Sequence, residues 1–74
     1  MIIETFGKVL RELREANHIS QEKFAEYCDL DRTYISLLER GKRQPTITTI
    51  FKLAKALNIS PSKLIAKVEC QVKN

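Results

Sequence analysis

The residues from Arg32 to Ser36 carry three hydroxyl groups and one guanidinium, side chains suited to donating and accepting hydrogen bonds. Arg32 offers a planar fork of donors that matches the O6 and N7 edge of guanine, or a phosphate. Thr33 can contact a thymine methyl group or donate to an acceptor, while Tyr34 can pack in a partly buried position or bond a phosphate oxygen. We predict that Arg32 and Thr33 read bases, with Ser36 as a further candidate.

A second set of polar residues surrounds this segment and is suited to phosphate oxygens. Gln21 stands in the first turn of the preceding helix, where free backbone N–H groups and the helix dipole favour an anion. A basic connector follows the segment, and another helix begins directly after it. The predicted phosphate contacts are Gln21, Tyr34, Arg40, Lys42, Arg43, Gln44, Thr46 and Thr48. Such contacts position a protein on a duplex without selecting its sequence.

Short helices must hold these side chains, because apolar residues recur at three- and four-residue steps throughout the chain. The first stripe consists of Phe6, Val9, Leu10, Leu13 and Ala16. Four further helices are predicted to begin at the caps Ser20, Asp31, Thr46 and Ser60. In the fourth helix, the residues predicted to face inward are Ile47, Ile50, Leu53, Ala54 and Leu57. The pattern therefore predicts an all-α domain of five helices over residues 1–74, with a polar C-terminal tail at 68–74.

The segment at about 20–40 predicts two helices of roughly two turns, joined by a tight turn around Cys28 to Asp31. A turn of that length makes the second helix cross the first steeply, as in helices that enter a major groove. Asp29 lies where the turn should require a positive φ. Because Ile35 and Leu38 face the core, Arg32 and Thr33 must point outward.

Size and composition narrow the possible functions. A chain of 74 residues forms one domain of marginal stability, so a second copy is expected to contribute. Two cysteines and one histidine show no metal-ligand spacing, and we expect no metal, cofactor or small-molecule ligand. No catalytic constellation is present, so we expect no enzyme. The N-terminal residues lack the pattern of a signal peptide and no apolar run is long enough for a membrane span, which predicts a cytoplasmic protein.

The sequence resembles the Cro/C1 repressor superfamily, also called the XRE family, over about Phe6 to Lys67. The resemblance rests on Ser20-Gln21-Glu22, Ala25, Leu30, Tyr34-Ile35-Ser36, Glu39-Arg40-Gly41-Lys42 and Pro45-Thr46. It implies a lambda-repressor-like helix-turn-helix domain that regulates transcription, and an internal ion pair between Arg14 and Glu39. The stretches LDRTYIS and LERGKR are especially similar to the controller proteins of restriction–modification systems. His18 and Asp29 depart from the family pattern, which usually has Gly at the position of Asp29.

Three apolar residues remain once the core stripe is assigned: Phe51, Ile65 and Val68. They either belong to the core or form a two-fold dimer surface, and we favour the dimer surface. The resulting hypothesis is a homodimer that binds operator DNA and controls transcription, possibly as a restriction–modification controller. The alternatives are a phage or chromosomal repressor, or an antitoxin-like interaction module on the same fold.

Overall fold

The structure, a computed structural model, describes residues 1–72 and contains five helices, as the periodicity predicted. Their bounds are α1 Ile2–Ala16, α2 Gln21–Cys28, α3 Arg32–Glu39, α4 Ile47–Ala56 and α5 Pro61–Val72. The first helix is longer than its apolar stripe because it begins before Phe6. No strand occurs within residues 1–72, and no helix among them is long and apolar enough to cross a bilayer. The all-α prediction is confirmed.

Side-chain caps start three of the helices at the predicted residues. The hydroxyl oxygens of Ser20, Thr46 and Ser60 each accept the backbone N–H three residues later, at 3.1 Å. Each bond satisfies one of the backbone donors that a helix start leaves without a partner. Asp31 occupies the cap position of α3, but its side chain makes no capping hydrogen bond. The prediction for Asp31 is therefore correct in position only.

The turn between α2 and α3 has the backbone conformation expected for it. Asp29 ends α2 with φ 57° and ψ 46°, in the left-handed region. The backbone N–H of Leu30 then donates to the carbonyl of Ala25 at 2.9 Å, which closes the end of α2. Helices α2 and α3 pack against each other, so the turn between them fixes the direction of α3 relative to α2.

The core lies where all five helices meet. Its fully buried side chains include Leu10, Phe24, Ile35, Leu38, Leu53 and Leu64. Helix α1 packs on α3 and α5, while α4 packs on α2 and α5. Ile47 was predicted to face inward, but it is 71% exposed because the inward face of α4 begins at Thr49. That prediction was wrong for Ile47.

The C-terminal prediction also needs correction. Helix α5 continues to Val72, so residues 68–72 are helical and not a polar tail, and residues 73 and 74 lie outside the described part. Val68 lies one turn after the buried Leu64 and is only 6% exposed. It belongs to the core, so its assignment to an exposed dimer surface was wrong. Phe51 and Ile65 remain exposed.

Candidate nucleic-acid interface

Helix α3 presents its N-terminal turn to solvent. Arg32 and Thr33 are exposed, whereas Ile35 and Leu38 on the opposite side are completely buried. The two apolar residues anchor the helix, and α2 supports it from one side and α1 from another. The predicted base-reading side chains are therefore free to meet a ligand. Ser36, the third candidate, is half-buried one turn further along.

Arg40 is held at the C-terminal end of α3 by Ser36. The Nε of Arg40 donates to the Oγ of Ser36 at 3.3 Å. The serine oxygen thus already accepts one hydrogen bond, although its own hydroxyl proton remains available as a donor. In the free protein, Ser36 positions Arg40, and a base contact by Ser36 has to accommodate that bond.

Tyr34 lies beside the basic connector. Its half-buried ring packs against the hydrophobic core, and the guanidinium carbon of Arg43 lies 5.8 Å from the ring centroid. This distance is within the range of a cation–π interaction. Of the two alternatives for Tyr34, the structure displays the packing, while the phosphate contact stays a prediction.

A buried polar network fixes the base of α3. The Nε and Nη2 of Arg14 donate to the two carboxylate oxygens of Glu39 at 2.6 and 3.0 Å, and Nη1 donates to the Ile19 carbonyl at 2.7 Å. This fork geometry is the strong, charge-assisted kind, and it raises the pKa of the Arg14 guanidinium above its ordinary value. The two residues that the family resemblance paired are thus in direct contact, and they join α1 to α3.

Gln21 belongs to the same network. Its Nε2 donates to a carboxylate oxygen of Glu39 at 3.0 Å, so one amide N–H is already used inside the protein. The second amide N–H is the one left for a phosphate. The hydrogen bond to Glu39 therefore fixes the orientation of the Gln21 amide at the start of α2.

The connector and the start of α4 complete the surface. Lys42, Arg43, Gln44 and Thr48 are all exposed. Thr46 is exposed too, but its oxygen accepts the N–H of Thr49 and its hydroxyl donates to the Thr49 hydroxyl at 3.1 Å. Because that proton is used in the cap, Thr46 can offer a phosphate only its backbone in this arrangement. The phosphate contact predicted for Thr46, at the N-terminus of α4, stays a prediction.

Two glycines position this surface, and only Gly7 was missed at the sequence level, since Gly41 was already expected to end α3. A Cβ on Gly7 would collide with the backbone of α3 at Leu38 and Glu39. Gly41 has φ +71° and packs against the Cα of Glu4, where a Cβ would come within 3.0 Å. A glycine inside an apolar helical stripe is a usable signal for close backbone approach, and Gly7 follows Phe6 within such a stripe.

Comparison with known proteins finds similarity over most of the chain. The helix-turn-helix family model HTH_3 matches residues 10–64. The chain is 46% identical to control protein C.BamHI of Bacillus amyloliquefaciens over 61 residues, which cover 81% of this chain and 75% of that protein. It is 44% identical to control protein C.SmaI of Serratia marcescens over 66 residues, covering 89% and 79%. The crystal structure of the restriction-modification controller protein C.AhdI of Aeromonas hydrophila is similar with a TM-score of 0.82 at 47% identity, covering 84% and 94%.

Proposed function

The chain belongs to the helix-turn-helix family of Cro/C1 (XRE) type transcription regulators, and from this premise we propose that it binds operator DNA as a homodimer and controls transcription. The observation that carries the proposal is the exposed N-terminal turn of α3, with Arg32 and Thr33 free of the protein's own helices. A helix that projects in this way fits a major groove, about 12 Å wide. Such a role belongs in the cytoplasm, beside the DNA.

The surrounding basic groups support two separate roles, contact with bases and contact with phosphates. Arg32 and Thr33 face base edges, while Lys42, Arg43 and Gln44 of the connector face the phosphate backbone beside the groove. Backbone contacts hold the protein in register, and the base contacts select the sequence. Arg40 joins the backbone contacts from the position in which Ser36 holds it.

Salt titration of binding to short duplexes tests this proposal. Each neutralised phosphate releases counterions, so log affinity should fall with log salt by about 0.9 for each contact. We expect a slope of several units on random DNA, and tighter binding to a duplex that carries an inverted repeat. A chain that binds neither duplex at low salt would rule out the proposed function.

We propose more specifically that the chain controls a restriction–modification system. C.AhdI is named a restriction-modification controller protein, and the two control proteins share comparable identity with this chain. Footprinting on the DNA upstream of the chain's own gene would test this role. We expect symmetric protection ahead of the genes for such a system; protection only at unrelated promoters would favour a phage or chromosomal repressor.

The exposed apolar residues of α4 and α5 are the proposed dimer surface. Ile47 and Phe51 lie one turn apart on α4 and are 71% and 58% exposed, and Ile65 is exposed on the adjacent α5. A core this small gains stability from a second copy that covers such residues. A two-fold dimer would present its two α3 helices about 34 Å apart, one turn of DNA.

Sedimentation tests the dimer surface. Phe51→Glu places a charge in the proposed interface and should convert the dimer to a monomer that binds operator DNA more weakly. Tyr27→Glu is the matched control, because Tyr27 is 60% exposed but lies on α2. Dimers that persist in Phe51→Glu, or a wild-type chain that is monomeric at micromolar concentration, would contradict the assignment.

A further inference from the structure

Tyr34 of α3 contacts Arg43 of the non-helical connector that follows α3. Tyr34 belongs to α3 and packs against the core, so its ring has little freedom. Arg43 lies in the non-helical connector between α3 and α4, and its side chain is exposed. The guanidinium carbon of Arg43 lies 5.8 Å from the centroid of the Tyr34 ring, so the ring restrains a side chain that is otherwise exposed.

We propose that Tyr34 is a positioning residue that holds Arg43 ready for a DNA phosphate, and that it acts through the face of its ring and not through its hydroxyl. This inference rests on the proposed function, since it assumes that the α3 surface meets DNA. It assigns to Tyr34 a role different from the direct phosphate contact that its residue type suggests.

The chemistry of the cation–π contact explains why this arrangement suits phosphate binding. At 5.8 Å from the ring centroid, the attraction of the guanidinium to the ring uses none of its five N–H donors. An ion pair would instead occupy those donors, and Arg43 forms no ion pair within residues 1–72. Arg40 differs, because its Nε is already bonded to Ser36.

Ordering the Arg43 side chain before DNA binds also lowers the entropic cost of binding. An arginine has many rotamers, and a side chain that is ordered before binding loses less freedom in the complex. Since cation–π contacts at exposed sites are modest, we expect the ring to contribute on the order of two- to fivefold in affinity. The contribution should vanish when Arg43 is absent, because the ring then has nothing to hold.

A double-mutant cycle on operator DNA at low salt tests the proposal. Tyr34→Phe keeps the ring and should bind within about twofold of wild type. Tyr34→Leu should bind on the order of two- to fivefold more weakly, yet should have no further effect in the Arg43→Ala background. Arg43→Ala should lower the salt slope by about one. Equal losses in Tyr34→Phe and Tyr34→Leu would assign the effect to the hydroxyl, and additive losses would separate the two residues; either result overturns the proposal.

A measurement on the free wild-type protein needs no variant and covers the case in which Tyr34→Leu unfolds. The side-chain protons of Arg43 should show upfield ring-current shifts in NMR spectra, and Tyr34→Phe should retain them. Normal shifts in a wild-type protein that binds DNA would overturn this inference alone. A wild-type protein that binds no duplex would overturn the proposed function, and the role of the stack in DNA binding with it.

Discussion

Gly7 of α1 lies directly against the backbone of Glu39 at the end of α3: a Cβ on Gly7 would stand 2.6 Å from the carbonyl oxygen of Glu39. The neighbouring side of Glu39 accepts the fork of Arg14. Helix α1 thus contacts the C-terminal end of α3 in two ways. Its backbone approaches closely at Gly7, and its Arg14 forms a buried ion pair with Glu39. Both contacts fix the C-terminal end of α3 against α1.

Gly7→Ala should destabilise the protein even though alanine is the better helix former by about 1 kcal/mol. Overpacking costs about 1–3 kcal/mol, and the atoms in the way are backbone, so we expect the upper part of that range and a net loss of about 2 kcal/mol. Urea unfolding measures it. Lys8→Ala, at the next and exposed position of α1, should change stability by less than about 0.5 kcal/mol. An unchanged or raised stability of Gly7→Ala would show that the helices can separate at little cost.

Removal of Arg14 should be costly because the side chain of Glu39 is only 2% exposed. Arg14→Met would leave a buried carboxylate with Gln21 as its remaining side-chain partner, and we expect a loss of about 3–5 kcal/mol. Arg14→Met with Glu39→Leu should recover much of it, since no charge stays buried. Arg11→Met breaks the exposed Arg11–Glu15 pair on the same helix and should cost about 0.5 kcal/mol or less. Similar losses for Arg14→Met and Arg11→Met would contradict a structural role for the buried pair.

Arg32→Ala should weaken operator binding by about 1–3 kcal/mol and relax the preference at one base position. Arg32→Lys keeps the charge but loses the planar fork, so it should retain more affinity than selectivity. Lys8→Ala is the control for charge, because Lys8 is exposed on α1, a helix that contributes no residue to the proposed DNA contacts or to the proposed dimer surface. Binding of Arg32→Ala with wild-type affinity and selectivity would remove Arg32 from the base-reading set.

Cys28 should make the protein sensitive to alkali. Burial raises the pKa of its thiol to about 11, from an ordinary value of 9.0. The unfolded chain therefore releases this proton first, so the contribution to stability is complete below pH 9.0 and is lost as the pH rises through about 11. Unfolding free energies at several pH values measure this loss. Cys28→Ala should show a shallower decline, whereas Cys70→Ala, at an exposed position, should follow wild type; equal declines in all three would contradict the assignment.

Local features of the fold were predictable from the sequence because they depend on neighbouring residues. The hydroxyl caps at Ser20, Thr46 and Ser60 each bond a backbone N–H three residues away. The left-handed Asp29 follows from the short turn between two amphipathic helices. The outward direction of Arg32 follows from the inward direction of Ile35, since both lie on the same helix.

Burial was less predictable, because it depends on which elements lie opposite a residue. Periodicity placed Ile47 on the inner stripe of α4, yet Ile47 is exposed because the buried face of that helix begins at Thr49. Periodicity also treated Val68 as surplus, although α5 continues past it and turns it into the core. The apolar face of a helix can be predicted from the sequence, but how far along that face the residues are buried depends on the neighbouring helices.

The sequence by itself determined five helices, the hydroxyl caps of three of them, the turn at Asp29 and a polar, basic segment around α3. Only the tertiary structure decided which distant groups meet: Glu39 with Gln21, the backbone of α3 with Gly7, and the guanidinium of Arg43 with the ring of Tyr34. The physical reason is the range of the forces. Caps and helical periodicity act within about four residues, whereas hydrogen bonds and stacking between elements require a relative position that only the packing of the whole core supplies.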